Sequence, residues 1–110
     1  MTSLLNKTSR PRENEPALNR SQAQALLSEI PGWTLNDNAT EISRAYKFKN
    51  YYETIAFMNA LAWIVHREDH HPDLEVGYNR CHIRFSTHSI KGLSENDFIC
   101  AAKINALQKD

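Results

Sequence analysis

The sequence predicts an α+β fold: a two-layer sandwich in which a four-stranded, mostly antiparallel sheet carries three helices on one face. Helical periodicity and strand alternation succeed one another in the order helix, hairpin, helix, hairpin, helix. The middle helix has a wide apolar stripe of the kind that packs on a sheet. At 110 residues the chain has room for one core and one domain.

Residues 1–19 are polar, carry Pro11 and Pro16, and mix Lys7, Arg10, Arg12, Glu13 and Glu15. Such a stretch is expected to bury little and to form a mobile tail, leaving residues 20–110 as the domain. Ser21 reads as an N-cap with Gln24 as its capping-box partner, opening a short helix with Leu26, Leu27 and Ile30 that stops at Pro31-Gly32. Trp33 to Leu35 and Glu41 to Phe48 flank Asn36-Asp37-Asn38 and form a hairpin whose alternation is imperfect around Arg44 and Ala45.

Asn50 and Glu53 open the second helix, in which Phe57, Leu61 and Ile64 recur at i, i+4, i+7 while Ile55, Met58, Ala62 and Val65 widen the stripe. Pro72 disfavours helical geometry at His71, which puts the two adjacent histidines at a helix-to-strand corner. Leu74, Val76 and Tyr78 alternate, Asn79-Arg80 turns, and Ile83, Phe85 and Thr87 alternate on the return. The last helix starts at Ser94 or Glu95, with Asp97 at N3 and Leu93 and Phe98 placed to staple; Phe98 to Leu107 is a candidate interface.

Thirteen basic and thirteen acidic residues cancel, so no net positive field favours a nucleic-acid backbone or an anionic membrane. The longest nearly apolar run, Ile55 to Val65, is far shorter than the roughly 20 residues that cross a bilayer. Cys81 and Cys100 lack the spacing of a zinc ribbon or redox pair and read as small core residues of a cytosolic protein. The expectation is therefore a cytoplasmic protein with a small-molecule or protein partner, and neither nucleic acid nor membrane.

Four of the five histidines fall in two tight groups, His66 with His70-His71 and, seventeen residues after His71, His88. Imidazole titrates near neutrality and serves as acid or base, so histidines drawn from separate elements suit a proton-transfer site. Consecutive His70 and His71 point different ways, and Asp69 and Asp73 stand beside them to orient the rings. The plain alternative is that each histidine merely satisfies hydrogen bonds on a half-buried surface. A metal alternative rests on the i, i+4 spacing of His66 and His70, but the general-base position of a His-Glu-x-x-His helix is filled by Arg67.

Asp69-His70-His71-Pro72-Asp73, Tyr78-Asn79, and Ser86-Thr87-His88 followed by Gly92-Leu93-Ser94-Glu95-Asn96-Asp97 form a joint pattern by which the chain resembles the pterin-4a-carbinolamine dehydratases. The resemblance covers about residues 17 to 106, including Pro31-Gly32-Trp33 and Phe48 to Met58. It implies dehydration of 4a-hydroxytetrahydropterin to quinonoid dihydropterin in tetrahydrobiopterin recycling, after an aromatic amino-acid hydroxylase has used the cofactor, with no metal or bound cofactor. It implies His70, His88 and His71 as catalytic residues, His71 chiefly holding the pterin together with Pro72, Asp69, Tyr78, Thr87, Trp33 and Phe48, and Asp97 and Asp73 as supporting carboxylates. A homodimer or homotetramer is implied, with the hydroxylase as a further partner. Animal members of the family carry glutamate where this chain has His66 and arginine where it has Asn96, so no role is transferred at those positions. The alternative function is a pterin-binding regulatory or dimerisation module that partners a hydroxylase or a transcription regulator.

Overall fold

The computed structural model describes residues 3–108. Three helices, α1 (Arg20–Leu27), α2 (Tyr51–Glu68) and α3 (Glu95–Asn105), pack with four strands, β1 (Thr34–Leu35), β2 (Ile42–Lys47), β3 (Asp73–Val76) and β4 (Arg80–Phe85). The sheet is antiparallel throughout, in the order β1-β2-β4-β3, so the α+β reading holds.

Register assigns the two faces. Ile42 lies opposite Phe85, Arg44 opposite Ile83 and Tyr46 opposite Cys81; apart from Arg44 these are buried beneath the helices. Arg44 is tolerated on that face because its guanidinium lies 4.2 Å from the Tyr46 ring centroid and bonds the Asn105 side chain, which accounts for the broken alternation there. Ser43, Ala45, Lys47, His82 and Arg84 occupy the other, polar face.

Helix boundaries follow capping chemistry, with one correction. The N-cap of α1 is Asn19, not Ser21: its side chain accepts from the Gln22 amide while the Gln22 side chain accepts from the Asn19 amide. The helix ends at Leu27, before the Pro31-Gly32 stop, and Ile30 is buried in the turn that follows. The α2 N-cap Asn50 and the Ser94–Asp97 capping box of α3 form where the sequence put them.

Two further expectations are corrected. Phe98, Ile99, Cys100, Ala101 and Ile104 are all buried in the chain's own core, and of the apolar stretch from Phe98 to Leu107 it is Leu107, just past α3, that stays exposed. Residues 3–19, expected to bury little, lie along the body as a strap. Leu4 is 2% exposed, Leu18 donates to the Leu93 carbonyl, and Ala17 comes so close to Gly92 that a Cβ there would stand 2.7 Å from its own. Buried Leu4, partly buried Leu18 and several side-chain hydrogen bonds dock a segment whose composition is polar.

Candidate functional site

The site begins with how α2 stops. Asp69 takes the left-handed conformation (φ 52°, ψ 44°), its amide donates to the His66 carbonyl, and the His70 amide donates to Val65. This is a Schellman termination, with a short polar residue in the position that glycine usually fills. The reversal turns the His70 ring inward and leaves His71 exposed. The left-handed residue before the pair sets this divergence, and Pro72 follows it.

Inside, the His70 ring stacks on Phe85 with centroids 5.8 Å apart and planes 6° apart. Its Nε2 lies 2.5 Å from Oδ1 of Asp97, a carboxylate with no exposed surface. The other oxygen, Oδ2, accepts from the Thr87 hydroxyl at 2.8 Å and from the Ser94 amide at 3.0 Å, and Thr87 also meets the Ser94 hydroxyl at 2.7 Å. Asp97 thus closes the α3 capping box with one oxygen and orients an imidazole with the other. With Nε2 committed to Asp97, Nδ1 is the ring nitrogen without a hydrogen-bond partner among the described residues.

His70 borders a cavity of about 200 Å³ whose walls come from the end of α2, the loop after β4, the start of α3 and the strap. Two larger hollows lie at the far end of α3, around Ala102 and Asn105, and neither contains a histidine. The smaller cavity is the one that a histidine borders, together with the Asp69 and Thr87 side chains singled out in the sequence.

Electrostatics separates its acidic groups. Burial disfavours charge on Glu68, yet the Lys103 ammonium at 2.7 Å and the Ser9 amide at 2.8 Å outweigh it and hold the carboxyl below the usual range. Cys100, under the same floor, is pushed up to about 12, first by burial and then by the charges of Glu68 and Asp97, so it is a neutral thiol.

A match to the family model for pterin 4 alpha carbinolamine dehydratase spans residues 16–107. The chain belongs to this family. Among pterin carbinolamine dehydratase relatives, a protein of Stenotrophomonas maltophilia named "Putative pterin-4-alpha-carbinolamine dehydratase" is 60% identical over 90 residues, covering 82% of this chain and 78% of its own. A protein of the same name from Bdellovibrio bacteriovorus is 54% identical over 110 residues, 96% of this chain and 88% of its own. A crystal structure described as a transcriptional coactivator/pterin dehydratase from Brucella melitensis superposes with a TM-score of 0.80 at 33% identity, covering 84% of this chain and 99% of that one. A pterin dehydratase-like protein described as a RuBisCO assembly factor shares the fold, with a TM-score of 0.61 at 22% identity over 72% of this chain and 92% of its own.

Within this pterin dehydratase fold, the residues singled out in the sequence are spread over several places. His70, Asp69, Thr87 and Asp97 are brought together. His88 opens a 3-10 turn between Thr87 and Ser89, both of which line the cavity, and its own side chain is exposed, as is that of His71. Asp73 lies opposite Arg84 on the polar face of the sheet, away from Asp97. Trp33 stands one ring behind the site, packed on Phe85 at 5.9 Å with its indole N–H on Asn105.

Phe48 and Tyr78 lie at the other end of the chain's fold. Phe48 packs on Phe57, and Tyr78 stacks on Tyr51, the first residue of α2. That 18-residue helix separates Tyr51 from His70 by about 27 Å along its axis. They are not part of the His70 cavity in their own chain.

His66 and His70 do not share a helical face, because His70 lies beyond the left-handed cap. The sequence reading missed Ser9, Arg10, Arg12, Glu68, Ser89 and Asn96, all cavity-lining. The signal for the strap residues was present only as charge without a stated partner. Among the described residues no helix is long and apolar enough to cross a membrane.

Proposed function

We propose that the chain is a 4a-hydroxytetrahydropterin dehydratase that works by histidine acid/base catalysis. The carrying observation is the His70–Asp97 pair at 2.5 Å on the wall of a polar cavity, in a chain of this family. In the reaction the C4a–O bond breaks as the hydroxyl gains a proton and leaves as water; the N5–H bond breaks and its electron pair forms the C4a=N5 bond. One group must give a proton and another take one.

His70 is the base in this reading. Asp97 fixes the tautomer, leaves Nδ1 to accept the N5 proton, and stabilises the imidazolium that forms. His88, carried on the turn beside Thr87, delivers the proton to the hydroxyl, and His71 with Pro72 and Asp69 holds the bicycle. The biological setting is recycling of tetrahydrobiopterin in the cytoplasm after an aromatic amino-acid hydroxylase. The test is rapid mixing of freshly prepared 4a-hydroxytetrahydropterin with the protein, following quinonoid dihydropterin against the spontaneous rate. Acceleration that falls by orders of magnitude in His70→Ala and His88→Ala supports the assignment; unchanged rates in both folded variants remove it.

Self-association is part of the proposal. β3 is an edge strand whose Leu74 and Val76, opposite buried Ile83 and Cys81, remain 37% and 40% exposed, and Trp63 and Tyr52 are also exposed. Pairing of this edge with a second copy would cover it, giving a homodimer or, by further packing, a homotetramer. Light scattering of Val76→Lys, which should yield monomers, tests this. The regulatory-module reading is favoured instead if a folded chain accelerates nothing but co-elutes with a hydroxylase or a transcription regulator.

A further inference from the structure

The strap places a positive charge in the His70 cavity. Ser9 donates its amide to Glu68 Oε1 and its hydroxyl to the Glu68 carbonyl. The Asn96 side chain then binds the Arg10 backbone both ways, accepting from its amide at 3.2 Å and donating to its carbonyl at 2.6 Å, and the Ser89 hydroxyl donates to the Arg12 carbonyl. Five contacts from three elements hold residues 9–12 as one wall of the cavity.

Arg12 is unusual within that wall. Its side chain is only 9% exposed, although arginine is rarely buried without a full set of partners. Nε donates to Asn96 Oδ1 at 3.1 Å, and Nη1 reaches Glu15 at 3.5 Å. Glu15 is itself shared with Arg10 at 3.2 Å, so two guanidinium groups face one carboxylate.

The other acids nearby do not supply the missing charge. Glu68 is paired with Lys103 at 2.7 Å, Asp97 is occupied by His70, Thr87 and Ser94, and Asp69 forms no ion pair with Arg12. A guanidinium has five N–H donors in a planar fork, and among the described residues only Asn96 and Glu15 accept from that of Arg12.

Resting on the dehydratase reading, we infer that Arg12 is a substrate-binding residue: it presents its free N–H groups to the ring carbonyl oxygen of the pterin as the bicycle sits against His70. The residue lies outside the segment matched by the family model, which begins at residue 16. Recognition of the heterocycle's electron-rich edge is thus supplied by the strap, and proton transfer by the family segment. The contact is charge-assisted and forms in the bound complex as a whole, so its loss is felt in binding more than in turnover.

The experiment measures steady-state dehydration together with calorimetric binding of 7,8-dihydropterin, a stable probe, for wild type, Arg12→Ala, Arg12→Lys and Arg12→Gln. Arg12→Gln retains an N–H for Asn96 and guards against a variant that merely unseats the strap. Expected are a roughly 10- to 100-fold rise in KM and in the dihydropterin Kd for the Ala and Gln variants, kcat within about threefold, a smaller effect for Lys, and unchanged thermal midpoints. Added guanidinium ion at millimolar concentration should lower the KM of Arg12→Ala and leave wild type unaffected.

Wild-type KM and Kd in folded Arg12→Ala and Arg12→Gln overturn the inference while leaving the dehydratase reading intact. A KM rise that follows loss of thermal stability and is not relieved by guanidinium makes Arg12 a structural tether, which also overturns it. A wild type that neither accelerates dehydration nor binds dihydropterin removes the dehydratase reading and the inference together.

Discussion

His70 Nε2 and Asp97 Oδ1 stand 2.5 Å apart, one residue just past the end of α2 and the other in the first turn of α3. One buried carboxylate therefore caps a helix and aims an imidazole, so its removal should harm both stability and catalysis. Asp97→Ala leaves the Thr87 hydroxyl, the Ser94 amide and the His70 ring without their acceptor, at a cost of about 1–3 kcal/mol for such unpaired groups. A drop of several degrees in Tm is expected from calorimetry. Asp97→Asn keeps the shape but offers Oδ1's place to an amide, and the dehydration rate should fall by roughly 10²-fold or more; an unaltered rate in a folded Asn variant would show that His70 works without its partner.

Asp69 offers a backbone test of how His70 is aimed. Glycine adopts the left-handed conformation freely, so Asp69→Gly should preserve stability to within about 1 kcal/mol, whereas β-branched Asp69→Val should lose about 1–2 kcal/mol or more. Urea midpoints of the two variants compare them directly. Equal midpoints would mean that the left-handed cap is not what ends α2.

Glu68 makes strap docking acid-sensitive. Its carboxyl sits below the ordinary value of 4.5 in the folded chain despite burial, because Lys103 and Ser9 favour the charged form. The stabilisation is therefore complete above about pH 4.5 and is lost as pH falls through the lower folded value. The stability gap between wild type and Glu68→Gln, measured by urea unfolding from pH 6 to pH 3, should shrink across that interval. A gap that stays constant would show that the carboxylate's charge contributes nothing.

Cys100, with its pKa pushed to about 12, and Cys81, raised by burial, are both buried free thiols. At pH 8 only about one Cys100 in 10⁴ is thiolate. A disulfide exchange reagent should label neither residue in the native chain and both after denaturation, and dehydration should be insensitive to it. Rapid native labelling accompanied by loss of activity would put a thiol back into consideration.

Much of this protein was determined by the sequence alone. The alternation of periods gave the element order and the Asn50 and Ser94 caps gave two helix starts, because each depends on residues within a few positions of one another, and the joint motifs at Asp69–Asp73 and Ser86–Asp97 carry the resemblance to the family. Even so, the Asn19 cap was displaced to Ser21 in the reading, since two polar residues there satisfy the same local rule.

Tertiary structure decided the rest. That His70 turns inward and His71 outward depends on the left-handed Asp69, and that Asp97 meets His70 depends on packing α2 beside α3. The polar first nineteen residues read as a tail, because composition measures what a segment can bury and not what can bind it. Asn96, Glu68 and Ser89, distant in sequence, supply the hydrogen bonds that dock the strap and bring Arg12 to the cavity. Tyr78 was expected at the pocket from the family resemblance, but such a resemblance does not specify that its side chain stacks on Tyr51, at the other end of the 18-residue helix from His70. Local hydrogen-bonding preferences act within a turn or two of the chain, and a site assembled from four separated segments is fixed only when the core brings them together.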